Sequence, residues 1–111
     1  MTSKNPQEPY YRISVVEAKE LLADGAAVID VRDPHEYQSG HVPGAALIPV
    51  NSVFARREEL PKDGKLIFVC AVGQRSALAC EMAAAGGLPA ERLYNLEGGT
   101  EAWIKAGEAT E

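Results

Sequence analysis

Leu66-Ile67-Phe68-Val69-Cys70-Ala71-Val72-Gly73-Gln74-Arg75-Ser76 is the stretch of this 111-residue chain that decides its fold. The four apolar residues at its start, three of them β-branched or aromatic, predict a strand buried on both faces. A cysteine stands where that strand ends. Ala71 to Gln74 are small or flexible and suit a tight loop. Ala77-Leu78-Ala79-Cys80-Glu81-Met82-Ala83-Ala84-Ala85 follows, rich in helix formers and stopped by Gly86-Gly87. Strand, short loop and helix aim successive backbone N–H groups at one point, where a nest of amides and a helix start both favour an anion. Cys70 at the mouth of such a nest is expected to have a lowered pKa and to favour the nucleophilic thiolate. The plainer expectation for a free cysteine is a small buried hydrophobe. The carboxyl end of a core strand, where open α/β sheets bind ligands, favours the first reading.

Outward from this stretch, the same alternation repeats. Ala26 to Arg32 reads as a central strand, Ala46 to Val50 as a short third one, and Leu93 to Leu96 as the last, with Tyr10 to Ile13 as a short edge strand. Ser14 and Glu17 have capping-box spacing at the head of a helix through Leu22, and Asp33-Pro34-His35-Glu36 opens a second. Asn51 can cap a helix over 52–60, and Thr100 one over 101–106. Strands alternating with helices over the whole length predict an α/β domain with a mainly parallel sheet. Residues 1–10 read as a loose, polar leader, 11–107 as one domain and 108–111 as a tail.

An apolar fraction of 46% and a net charge of -5 describe an ordinary globular domain and argue against nucleic acid or an anionic membrane as partner. No apolar run approaches membrane-spanning length, and the start has no signal-peptide h-region. Cys70, Cys80, His35 and His41 have no metal-ligand spacing, so no metal is expected. The two cysteines do not look like a disulfide staple, which points to a reducing, cytoplasmic setting.

Asp30 and Arg32 lie two apart on one strand and point to the same side. Charges at the exit of a buried strand must be paired or placed at a site, so they either brace the following loop or serve it. His41 is a candidate general base or, as is usual for a turn histidine, a hydrogen-bonding brace. Arg75 either supplies charge that attracts an anionic substrate or braces the start of the helix.

Four pieces in order, Asp30 to Tyr37, Gly40-His41-Val42-Pro43-Gly44-Ala45, Cys70 to Ser76, and Leu96 to Trp103, resemble the rhodanese (thiosulfate sulfurtransferase) family from about Tyr11 to Gly107. The resemblance implies a three-layer α/β/α sandwich around a five-stranded parallel sheet. It carries the nucleophile onto Cys70 and the substrate cradle onto Ala71, Val72, Gly73, Gln74 and Arg75, with Asp30, Arg32 and His41 in support. It implies transfer of a sulfane sulfur from a small donor such as thiosulfate, through a Cys70 persulfide, to a thiophilic acceptor such as cyanide or a thiol, without cofactor or metal. A protein sulfur donor or acceptor, with the domain as persulfide carrier, is the alternative. A phosphatase or arsenate reductase of related fold is a further one. Those enzymes resemble each other in a loop of five residues between cysteine and arginine, whereas Ala71 to Gln74 are four.

Overall fold

The computed structural model describes residues 2–111. Five strands, β1 (Tyr11–Ile13), β2 (Ala27–Asp30), β3 (Ala46–Leu47), β4 (Leu66–Val69) and β5 (Leu93–Leu96), alternate with four helices. These are α1 (Val15–Ala23), α2 (Pro34–Gln38), α3 (Gln74–Ala85) and α4 (Gly99–Lys105). The strands form one parallel sheet in the order β1-β5-β4-β2-β3. The Cys70 strand therefore lies at the centre, and all four residues of β4 and of β5 are buried.

Alternation along the strands builds two cores. Ile29, Leu66, Phe68 and Leu93 face α3, whose Ala79, Cys80 and Ala83 are small enough for the helix to lie close to the sheet. Val28, Ile67, Val69 and Leu96 face the other way, against Ala18 and Leu21 of α1 and Trp103 of α4. The expected three-layer α/β/α sandwich is the observed fold. Helix starts follow their predicted caps: Ser14 and Glu17 form the reciprocal capping box of α1, and the Asp33 N–H donates to Glu36 Oε1 at 3.0 Å at the head of α2.

Three expectations are corrected. The third strand stops at Leu47 because Pro49 has no N–H for the ladder, although the Ile48 and Val50 amides still reach Asp30 O and Val31 O at 2.9 Å. Residues 52–60 do not form an α-helix. They form short 3-10 turns at Val50–Ser52 and Arg57–Glu59, broken at Arg56 (φ −102°, ψ 18°). That break lets the Arg57 guanidinium lie 4.4 Å from the Phe54 ring centroid and donate to Phe54 O. The polar leader is not loose throughout. Ser3 and Arg12 exchange backbone hydrogen bonds of 3.0 and 2.7 Å, which covers part of the exposed edge of β1, and Tyr10 is buried.

Candidate functional site

Cys70 follows β4 directly and is 1% exposed. Its loop is fixed from behind by the start of α4: Thr100 N–H donates to Cys70 O at 2.8 Å and Glu101 N–H to Ala71 O at 3.1 Å. Only glycine allows this approach. Gly99 has φ +59°, and a Cβ there would fall 2.4 Å from Cys70 O and 2.5 Å from Ala71 O. With both carbonyls turned outward, the amides of the loop face the sulfur.

Gly73 makes the turn into α3 at φ +104° and donates its N–H to Cys70 Sγ at 3.1 Å. The Ser76 hydroxyl lies 3.3 Å from the same sulfur. Burial acts to raise the thiol pKa. Hydrogen bonding with the Ser76 hydroxyl and with the Ser76, Gly73 and Val72 amides outweighs it and holds Cys70 below the ordinary thiol value. Cys80 shows what burial does without such hydrogen bonds. Fully enclosed in the α3 core and near the Glu81 and Glu8 charges, its pKa is pushed well above the usual thiol value. Both thiols are free.

Arg75, one residue into α3, sends its guanidinium to Glu36 of α2 through two hydrogen bonds of 2.8 and 2.9 Å. This fork, together with the Asp33 amide, holds the Glu36 carboxyl down to about 2. Asp30 and Arg32 form a buried pair, with Arg32 Nη2 2.8 Å from Asp30 Oδ2 and also 2.9 Å from Gly40 O. They brace the turn after α2. His41 braces the same turn: Nδ1 meets Tyr37 O at 2.9 Å, and the ring stacks on Tyr37 at 3.7 Å between centroids. Its backbone exchanges hydrogen bonds of 3.2 and 2.9 Å with Glu111, so the C-terminal tail is clamped there. The structure thus brings the Val72, Gly73 and Ser76 amides to Cys70, sends the Arg75 side chain away to Glu36, and ties Asp30, Arg32 and His41 into the adjoining framework.

Two groups escaped the sequence reading, one at the sulfur and one directly behind it. Ser76 is a member of the quoted loop but had no role assigned. Asn95 had none at all, although it is an amide inside the apolar strand β5 and such a group needs partners when buried. It has them: Ser76 Oγ–H donates to Asn95 Oδ1, and Asn95 Nδ2 donates to Gly73 O at 3.1 Å. A cavity of about 280 Å³ opens beside the loop, lined by Arg12, Val72, Gly73, Gln74 and Asn95 among others. Among the described residues, one set of side chains has metal-donor proximity, Asp33, His35 and Glu36 at the head of α2, and there the Glu36 carboxylate is already committed to Arg75. No described helix is long and apolar enough to cross a membrane.

A buried, hydrogen-bonded cysteine at the head of a parallel strand, cradled by the amides that start the next helix, is suited to carry negative charge on or just beyond its sulfur. The comparisons agree with that geometry. The family model described as rhodanese-like domain matches residues 14–106. The thiosulfate sulfurtransferase GlpE of Pseudomonas entomophila (strain L48) is 36% identical over 96 residues, covering 85% of this chain and 84% of that protein. Among solved structures, a rhodanese-related protein from Thermoplasma volcanium superposes with a TM-score of 0.81 at 30% identity, covering 90% of this chain and 96% of that one. The human single-domain sulfurtransferase TSTD1 does so with a TM-score of 0.72 at 31% identity, covering 87% and 96%. By sequence and by fold, this chain belongs to the rhodanese-like domain family.

Proposed function

We propose that the protein is a sulfurtransferase in which Cys70 carries a sulfane sulfur between a small anionic donor and a thiophilic acceptor. The observation that carries this reading is the polar cradle around Cys70 Sγ, where the Gly73 amide donates at 3.1 Å and the Ser76 hydroxyl oxygen lies at 3.3 Å. With thiosulfate as donor, the Cys70 thiolate attacks the sulfane sulfur. A Cys70–sulfur bond forms, the sulfur–sulfonate bond breaks, and sulfite leaves with the bonding pair. The resulting Cys70–S–S⁻ is held by the outward reach of the same amides. Cyanide or a thiolate then attacks the outer sulfur, and Cys70 departs as thiolate. No cofactor enters either step.

Arg75 serves this chemistry as a brace. Its fork on Glu36 supports a role in fixing the first turn of α3 rather than in docking the donor. The same commitment, and the four-residue spacing from Cys70, count against a phosphatase or arsenate reductase, which would need the guanidinium on a tetrahedral oxyanion. Val72, 50% exposed at the rim of the loop, supports a second reading in which a protein delivers or receives the sulfur. Free thiols in a chain of this kind fit a cytoplasmic setting.

The test is an intact mass of the protein before and after thiosulfate, with Cys70→Ser alongside. Gain of one sulfur atom, removed by cyanide and absent from the variant, is the expected result. No gain from thiosulfate or any other sulfane donor overturns the proposal. Loading without repeated turnover on small molecules selects the carrier reading.

A further inference from the structure

The polarity of the hydrogen bonds behind Cys70 can be worked out from their far end. Gly73 O can only accept, so the end of Asn95 facing it at 3.1 Å is the Nδ2 amide, and Oδ1 is turned to Ser76. Asn95 Oδ1 can only accept as well. The single hydroxyl proton of Ser76 is therefore placed on Asn95. The remaining contact, Ser76 Oγ to Cys70 Sγ at 3.3 Å, is then made by the proton of the thiol itself. Every donor runs the same way, from Cys70 to Ser76 to Asn95 to Gly73. All four residues are buried or half-buried, with Ser76 at 0% and Asn95 at 5% exposure, so water does not readily replace a lost partner.

This order suits the thiol and not the thiolate. Once the Cys70 proton has left to solvent, Ser76 Oγ faces the sulfur with a lone pair. It becomes a donor to the sulfur only by turning its proton away from Asn95. We propose that Asn95 is a positioning residue that tunes Cys70 by competing with the thiolate for the Ser76 hydroxyl proton. The proposal rests on the reading of Cys70 as the reacting thiol, and on nothing about which donor loads it. In the persulfide the charge moves to the outer sulfur, Sγ no longer needs a donor, and the Ser76 proton returns to Asn95. When an acceptor takes the outer sulfur, the breaking S–S bond leaves its electron pair on Sγ and the proton swings back. The hydroxyl thus changes partner twice in each cycle. Ser76 acts at the sulfur, and Asn95 acts through Ser76.

The charged groups on the elements packed around Cys70 are already held elsewhere or lie outside the buried chain. Arg75 is on Glu36, and Asp30 is on Arg32. Glu97 faces Arg12, and Glu101 is exposed on α4. None of them occupies the Ser76–Asn95 contact.

The experiment is the rate of Cys70 alkylation by iodoacetamide against pH, followed by peptide mass so that Cys80 is distinguished, in wild type, Asn95→Ala, Ser76→Ala and the double variant. It uses no sulfur donor, so it stands whether or not persulfide forms. Asn95→Ala frees the Ser76 proton and lowers the midpoint by about one pH unit, or roughly tenfold in thiolate fraction below it. Ser76→Ala raises the midpoint, and the double variant keeps the Ser76→Ala value. A midpoint that rises or stays put in Asn95→Ala overturns the proposal, as does a fall that persists without Ser76. Asn95→Asp keeps an acceptor toward Ser76 and strengthens it. It is expected to raise the midpoint, and by less when Ser76 is Ala; an equal rise in both backgrounds marks a simple charge effect and overturns the proposal as well.

Discussion

Arg75 and Glu36, thirty-nine residues apart, meet through two parallel hydrogen bonds that tie the first turn of α3 to α2. The loop that cradles Cys70 is thereby held from the side by a carboxylate that also caps its own helix through the Asp33 amide. Removing either partner should have the same consequence. Arg75→Ala and Glu36→Gln are both expected to lower the rate of sulfur transfer several-fold, with the KM for thiosulfate little changed. Steady-state kinetics separate this from a docking role, in which Arg75→Ala alone raises that KM.

The same pair predicts a pH dependence of stability. The folded pKa of Glu36, about 2, lies below its ordinary 4.5, so its contribution is complete above pH 4.5 and is lost as pH falls toward 2. Both side chains are partly exposed, at 35% and 26%, and solvent screening holds the effect to about 1 kcal/mol or less. Urea midpoints of wild type and Glu36→Gln should differ at neutral pH and converge across that window.

Asp30 and Arg32 predict a larger loss. Their pair is almost wholly buried, so Asp30→Ala strands the Arg32 guanidinium and removes its anchor to the Gly40 turn. Breaking such a pair costs about 3–5 kcal/mol. A large fall in Tm is expected, with Cys70 still alkylated in the fraction that remains folded.

Glycines at two turns should respond differently to alanine. Gly99→Ala places a Cβ within 2.6 Å of Cys70 O, Ala71 O and Ala71 C at φ +59°, and should displace the loop as well as destabilise the domain. Gly25 also has positive φ (+98°) but nothing within 4 Å of the added atom, so Gly25→Ala carries backbone strain alone, about 1 kcal/mol. Thermal unfolding combined with the Cys70 alkylation profile separates the two: Gly99→Ala alters both, Gly25→Ala only the first.

The two thiols should also diverge. Cys70 is expected to react with iodoacetamide with a midpoint below the ordinary thiol value, and Cys80 to stay unmodified until the protein unfolds. Peptide mass mapping at several pH values checks both.

The parts of this site that sequence made visible are those encoded by neighbours. The Cys70 loop, the capping spacing of Ser14 and Glu17, and the pairing of Asp30 with Arg32 all lie within a few residues of their partners. What it hid depends on the chain returning to the same place. Glu36 reads as a helix cap, and only the packing of α2 beside α3 makes it the partner of Arg75. Asn95 interrupts an apolar strand, a signal that some partner exists, but parallel pairing of β5 beside β4 decides that the partners are Ser76 and Gly73. Residues 52–60 misled because a charged, helix-compatible composition does not reveal the break at Arg56, after which Arg57 lies over the Phe54 ring.

The outward carbonyls of Cys70 and Ala71 have a thermodynamic consequence. Because the amides of Thr100 and Glu101 tie them off, the peptide dipoles around the sulfur are oriented before any charge arrives and cannot flip to follow it. The reorganisation energy for moving a negative charge on, off or one atom beyond Cys70 is correspondingly small, and is set by the chain rather than by the donor. A loop built in this way offers the same electrostatic terms to any sulfur donor. Selectivity among donors then has to come from the rim, where Val72 and Gln74 face solvent.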